Sequence, residues 1–218
     1  MSVTDNFLNT QKEIPEGIDI VIVSKFQEAE SIMQIYNCGH RMFGENKVQE
    51  ILRKKPMLPD DIQWHMIGHL QTNKVKYIAP YISIIHSIDS LKLLIEINKE
   101  AVRNERTIDC LLQFYIATEE SKFGLDIEEA HAIIESESFK TLNNVHICGV
   151  MGMASFTNDL QIVRNEFSEL HNIFNEFKNK HFKNDNCFRH ISMGMSNDYH
   201  IAIDEGATIL RIGSKIFS

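Results

Sequence analysis

The chain has 218 residues and a formal net charge of −8, enough length to bury a sizeable core and the wrong sign for a surface that grips phosphate backbones. No apolar run reaches the length of a membrane span, and the opening "MSVTDNFLNTQKE" has neither the basic start nor the apolar centre of a signal peptide. Cys38, Cys110, Cys148 and Cys187 are far apart and form no CxxC pair, which predicts buried free thiols in a reducing, cytoplasmic setting and no metal site.

In chain order, short apolar runs recur at "DIVIVS" (19–24), "RMFGEN" (41–46), "IQWHMIG" (62–68) and "ISIIHSI" (82–88). They continue at "DCLLQFYI" (109–116), "VHICGVMGM" (145–153), "FRHISMGM" (188–195) and "ATILRIG" (207–213). Most are continuous rather than alternating, as in strands covered on both faces. Between them, 28–39, 90–105, 126–136, 157–180 and 196–206 carry helical spacing, with Leu160, Val163, Phe167, Leu170 and Phe174 as the longest stripe. Residues 1–17 read as a lead-in segment too short for a full helix, and "NKHFKNDN" (179–186) as a surface loop.

Eight strand–helix alternations imply right-handed crossovers and a single (β/α)8 barrel of TIM type over 1–218. The structural alternative, an open doubly wound sheet, lacks its dinucleotide fingerprint: the first turn is "SKFQEAE" and not GxGxxG.

Active sites of such barrels lie at the C-terminal ends of the strands. Those ends offer Lys25, Gly44-Glu45-Asn46, His65 with Gly68 and His69, His86-Ser87 with Asp89, Lys122 in "EESKFG", and "SMGMS" (192–196) and "RIGS" (211–214). The last two match the small-residue loops with which barrels hold a phosphate, with Gly213 and Ser214 around the anion; equally, Gly194 and Gly213 relieve crowding at strand ends. Lys25 has two readings as well. It is a solvated lysine at a helix start, or an amine made nucleophilic by burial and aimed at a phosphorylated carbonyl compound. His65 and His69 lie on a strand and its exit without the glutamate of a metalloprotease, so they read as pocket-edge histidines; His86 reads as a hydrogen-bonded core residue. Met151, Met153, Met193 and Met195 are expected to pack in the barrel interior and against any bound ring.

The segments "VSKFQ" (23–27), "FGENKVQE" (43–50), "WHMIGHLQTNK" (64–74), "HSIDS" (86–90), "EESKFGL" (119–125), "HISMGMSNDYHIAI" (190–203) and "TILRIGSKIF" (208–217) resemble the pyridoxal phosphate homeostasis proteins, the YggS/PROSC family. The resemblance implies a barrel like the alanine racemase N-terminal domain. It implies pyridoxal 5′-phosphate held as a Schiff base on Lys25, with phosphate ligands at Ser192, Gly213 and Ser214, Arg211 facing the pyridine nitrogen, and Asn46 beside the ring. A guanidinium only donates hydrogen bonds, so an arginine there would keep that nitrogen unprotonated and weaken the ring as an electron sink.

The chain departs from the family pattern at Gln27, where a second lysine is common, at Lys47, where an aromatic is usual, and at Tyr115; Gln27 puts a second-lysine relay in question. The function expected is intracellular storage of the cofactor and its supply to apo-enzymes without turnover, by a protein whose charge and cysteines predict a cytoplasmic location and whose lack of a racemase-like second domain predicts a monomer. The alternative is a weakly active amino-acid racemase, which needs a base on the second face of its substrate. Only a tyrosine near the mouth, Tyr115 or Tyr199, offers one. Lys122 and Lys215 are candidates for secondary docking sites.

Overall fold

The structure, a computed structural model, describes residues 2–117 and 124–218. Lys122 and the rest of the "EESKF" stretch lie outside the described residues. The eight apolar runs form eight parallel strands: β1 (Asp19–Val23), β2 (Met42–Glu45), β3 (Gln63–Met66), β4 (Ile84–Ile88), β5 (Ile108–Phe114), β6 (Val145–Gly152), β7 (His190–Ser192) and β8 (Ile209–Ile212). Their order is sequential and the barrel closes where Asp19 to Ile22 of β1 pair with Ile209 to Ile212 of β8.

Closure divides the side chains by the two-residue period of a strand. Val21, Val23, Leu111, Met151 and Ile209 pack inside the barrel, whereas Ile22, Phe43, Ile85, Leu112 and Leu210 face the helices in a far larger core. Continuous apolar strands therefore reflect burial on both faces. At β6 the register against β5 slips: Cys110 pairs with Ile147 but Leu111 with Gly149, so Cys148 is an extra residue. Gly149 makes the slip possible, with φ of +152° and room for no Cβ, which would fall 1.9 Å from the His190 carbonyl oxygen.

The helices are α1 (Val3–Glu13), α2 (Ala29–Tyr36), α3 (Val48–Lys54), α4 (Val75–Ile78), α5 (Leu91–Arg103), α6 (Ile127–Glu135), α7 (Glu137–Lys140), α8 (Leu160–Lys180), α9 (Tyr199–Asp204) and α10 (Ser214–Phe217). Side-chain caps start α5 at Ser90, α6 at Asp126 and α8 at Asp159, each worth about 1 kcal/mol.

The lead-in segment is a correction. Residues Val3–Glu13 form a three-turn helix because Ser2 and Asp5 make a reciprocal capping box and Phe7 and Thr10 are buried. Asn6 then ties α1 to the chain end by donating to the Ile216 and Ser218 carbonyls. Cys187 is a second correction: it is exposed in the loop before β7, although Cys110 and Cys148 are buried. Among the described residues no helix is long and apolar enough to cross a membrane.

Candidate functional site

The C-terminal ends of β1, β6, β7 and β8 meet around the barrel mouth. Lys25 follows β1 in a turn, exposed to solvent, and its Nζ makes no hydrogen bond or ion pair among the described residues. The burial expected from the sequence is not supplied by the chain's own packing. Phe26 beside it is 85% exposed and holds a left-handed φ of 65°, a conformation rare for a bulky side chain.

What is buried is the support beneath Lys25. Glu45 at the end of β2 and Lys54 at the end of α3 are both wholly buried and paired at 2.6 Å. Lys54 Nζ also donates to the Ser24 carbonyl at 2.8 Å, and Ser24 Oγ donates to Glu45 Oε1 at 2.7 Å. The peptide preceding Lys25 is thus held from both sides. Burial pushes the Glu45 carboxyl above the usual carboxylate range, opposed by Lys54 and Ser24. Nothing in "FGEN" or "ILRKK" marks this pair in advance; the two residues meet only because α3 folds back on the outside of β2.

A second polar chain crosses the barrel interior. His65 Nδ1 lies 2.9 Å from His86 Nε2, and His86 Nδ1 lies 3.0 Å from Ser192 Oγ. Arg211 donates through one terminal nitrogen to Ser192 Oγ at 2.7 Å and through the other to the Gly152 carbonyl at 2.9 Å. Burial pushes His65 down to about 3, and carries His86 well below the ordinary histidine value with help from His65 and Arg211. Both rings are neutral and each carries one N–H. Because Arg211 only donates, Ser192 accepts there and gives its own proton to His86 Nδ1. His86 Nε2–H then donates to His65 Nδ1. The chain runs in one sense, from Arg211 through Ser192 and His86 to His65.

Burial also lowers Arg211 to about 10, opposed by Asp198, whose own carboxyl burial pushes up. No carboxylate forms an ion pair with Arg211 among the described residues. Its guanidinium is instead held at the base of the mouth by a hydroxyl and a carbonyl.

The expected phosphate loops come together with one exchange of roles. The Gly213 and Lys215 amides both donate, at 3.2 Å, to Ser196 Oγ. Ser196 is half-buried at the mouth, whereas Ser192, expected there, is fully buried under Arg211. Gly213 sits so close to β1 that a Cβ would come within 3.1 Å of the Val23 carbonyl oxygen. Ser214 follows it, exposed. Asn46 is exposed past the end of β2, lining a shallow cavity with His69, Gln71 and Lys74; Gly68 packs against its backbone.

Other expected residues fall elsewhere. Of the four methionines only Met151 is in the barrel interior; Met193 points outward into the helix layer, being one residue from inward Ser192, and Met153 and Met195 are exposed. Tyr199 is not at the mouth. It is buried and donates its hydroxyl to Glu13 of α1, under the Lys215 ammonium. Lys215 pairs with Glu13 at 3.1 Å. Tyr115 lines a groove with Leu125, Glu128 and Glu169 between α6 and α8.

The donor set suits a small phosphorylated aldehyde with an aromatic nitrogen: an unengaged amine, converging amides, a hydroxyl and a buried guanidinium. Comparison with known proteins agrees. The family described as "Alanine racemase, N-terminal domain" matches residues 2–218. The chain is 40% identical over 195 residues to the pyridoxal phosphate homeostasis protein of Aquifex aeolicus, covering 89% of this chain and 83% of that one. Against the protein of the same name in Homo sapiens it is 35% identical, covering 91% and 75%. PipY of Synechococcus elongatus, solved with PLP bound, superposes with a TM-score of 0.89 at 28% identity over the whole of both chains. An alanine racemase from Bartonella henselae, 12% identical with a TM-score of 0.71, shares the fold over 97% of this chain and 56% of its own.

Proposed function

This chain belongs to the alanine racemase N-terminal-domain family and, within it, to the pyridoxal phosphate homeostasis proteins, and from that premise we propose that it binds pyridoxal 5′-phosphate in the barrel mouth. The observation that carries the proposal is the meeting, at one end of the barrel, of the Lys25 amine, unengaged among the described residues, the Gly213 and Lys215 amides around Ser196, and the buried Arg211. PipY, a relative of the same fold, is solved with PLP bound.

In this reading residues 1–218 serve as one cofactor-binding barrel. Lys25 would hold the aldehyde as a Schiff base, on a turn that Lys54 and Glu45 hold still. The phosphate takes the loop of Gly213 and Ser214, with the Ser196 hydroxyl in the part first given to Ser192. Ser192 instead holds Arg211, which would face the pyridine nitrogen, and Asn46 would lie beside the ring. When bound, the cofactor supplies an electrophilic carbon and an electron-withdrawing ring. An arginine, which keeps its own protons and only donates hydrogen bonds, would leave the ring nitrogen a hydrogen-bond acceptor.

Such a site stores an aldehyde and does not stabilise a carbanion. We therefore read the chain as a non-enzymatic, cytoplasmic, monomeric carrier that supplies the cofactor to apo-enzymes; its relatives bear the name of homeostasis proteins. Tyr199, one of the two tyrosines that a racemase reading would use, is committed to Glu13.

The test is borohydride reduction of the purified protein after incubation with pyridoxal 5′-phosphate, followed by peptide mapping. One reduced adduct on Lys25, lost in Lys25→Ala, is expected. Adducts scattered over surface lysines, or unchanged stoichiometry in Lys25→Ala, would reject the assignment. Mixing the loaded protein with an apo-enzyme and following regained activity tests the carrier role, and racemisation assays should remain at the buffer rate.

A further inference from the structure

At the opposite end of the barrel, five metal-ligating side chains gather that the mouth does not use. Asp109 is the second residue of β5 and His146 the second of β6, paired directly across the ladder. Cys148, the extra residue of the β6 slip, is buried among the barrel-interior side chains. The loop before β7 brings Asp185 and Cys187 to the other side of the His146 ring.

We propose that Asp109, His146 and Cys148 bind a zinc-class divalent ion through Asp109 Oδ1, His146 Nδ1 and Cys148 Sγ, with water in the fourth position. One ligand atom of each residue lies within 4.8 Å of the other two. His146 Nδ1 and Asp109 Oδ1 are 3.4 Å apart, too long for a good hydrogen bond. It is the edge, about 3.3–3.8 Å, of a tetrahedron whose metal bonds are about 2.0–2.3 Å. The cluster of His131 on α6 and His181 at the C-cap of α8 behaves differently. There His131 is already hydrogen bonded at 2.7 Å both to His181 and to Glu176, and the pairing explains itself.

Chemistry favours the strand-borne set. Thiolate, imidazole and carboxylate together suit zinc better than the oxygen-seeking calcium or magnesium. The Cys148 thiol donates weakly to the His146 carbonyl at 3.6 Å; on binding, its proton passes to solvent and the sulfur lone pair to the ion. Asp109 and His146 are partly exposed, so an ion can enter and keep a water. Asp185 completes the arrangement from outside. Its Oδ1 is fixed by the Cys187 amide at 2.8 Å while its Oδ2 faces His146 Nε2 at 3.6 Å. That is the place of the outer carboxylate that sets the tautomer of a metal-bound histidine. Sequence spacing hides the group, because its members come from three separate segments and no CxxC or HxxxH pair announces it.

The test uses the full chain, stripped with chelator and titrated with Co2+ as a spectroscopic probe, then with Zn2+. One equivalent of Co2+ should give a thiolate charge-transfer band in the near ultraviolet, displaced by Zn2+, and Zn2+ should raise Tm. Cys148→Ser should abolish the band with unchanged far-ultraviolet dichroism, and His146→Gln should weaken binding at least tenfold should Cys148→Ser fail to fold. Asp185→Asn should weaken it by about 10–100-fold. Cys187→Ser, Cys38→Ser and Lys25→Ala should leave it intact, which separates this site from the barrel mouth. No thiolate band in the parent protein, a band that survives Cys148→Ser, or a band lost in Cys187→Ser overturns the proposal.

Discussion

Lys54→Met removes the only cation in hydrogen-bond contact with Glu45 among the described residues while keeping the stem that fills the space under α3. Both partners are wholly buried at 2.6 Å, and Glu45 Oε2 already has no hydrogen-bond partner. Breaking one side of such a pair leaves an uncompensated buried charge, which costs about 3–5 kcal/mol. For a chain of this size that lowers Tm by roughly 6–20 °C, at about 2–4 °C per kcal/mol. The pH dependence has a definite sign. Burial raises the folded-state value of Glu45 above its ordinary one. In the variant the rise is larger, so stability held below about pH 4.5 is lost as pH climbs through the folded-state value. The deficit is therefore smaller at pH 5 than at pH 7.5. Thermal unfolding at both pH values measures it, with the Glu45→Gln/Lys54→Met double variant closing the cycle and regaining at least half the loss. A midpoint within 2 °C of the parent, on the scale of about one kcal/mol or less, would refute the reasoning. So would simple additivity of the two single changes, because partners in direct contact must couple.

Ser192→Ala strips an acceptor from buried Arg211 and the donor from His86, and is expected to cost about 1–3 kcal/mol in denaturant unfolding; a loss under about 0.5 kcal/mol would mean the chain of hydrogen bonds contributes nothing net. His65 and His86 are held neutral far below the ordinary value near 6.5, so the unfolded chain takes up protons first as pH falls. Their stabilisation is full above about pH 6.5 and drains as pH falls, for His65 through a window down to about 3, at up to about 1.4 kcal/mol per pH unit for each ring. His86→Asn should flatten the slope between pH 6 and 4, and an unchanged slope would contradict it.

The barrel was legible because its evidence is local and repeated. Eight apolar runs, each followed by a helical stripe, leave few topologies once crossovers must be right-handed. The strand ends drifted by a residue or more, as at "FRHISMGM", where only His190–Ser192 pairs in the ladder; an apolar loop residue looks like a strand residue until its neighbour is known. The leading helix was missed for the opposite reason. Its hydrophobic content is small, and what holds it is a two-residue cap and the distant chain end.

The mouth was legible where a motif carries its own chemistry and illegible where a role depends on which way a side chain points. "RIGS" brings Arg211 and Gly213 to the site whatever the details, because one lies in β8 and the other ends it. "SMGMS" offers two serines, and strand alternation sends Ser192 down under Arg211 while the turn returns Ser196 to the amides. That difference decides what Arg211 can do. An arginine paired to a carboxylate would present a neutralised, fixed fork; this one is positioned by a serine whose proton is committed to His86, and its charge stays directed at the mouth. The neutral histidine chain is thus what allows a buried cation to be oriented without being cancelled.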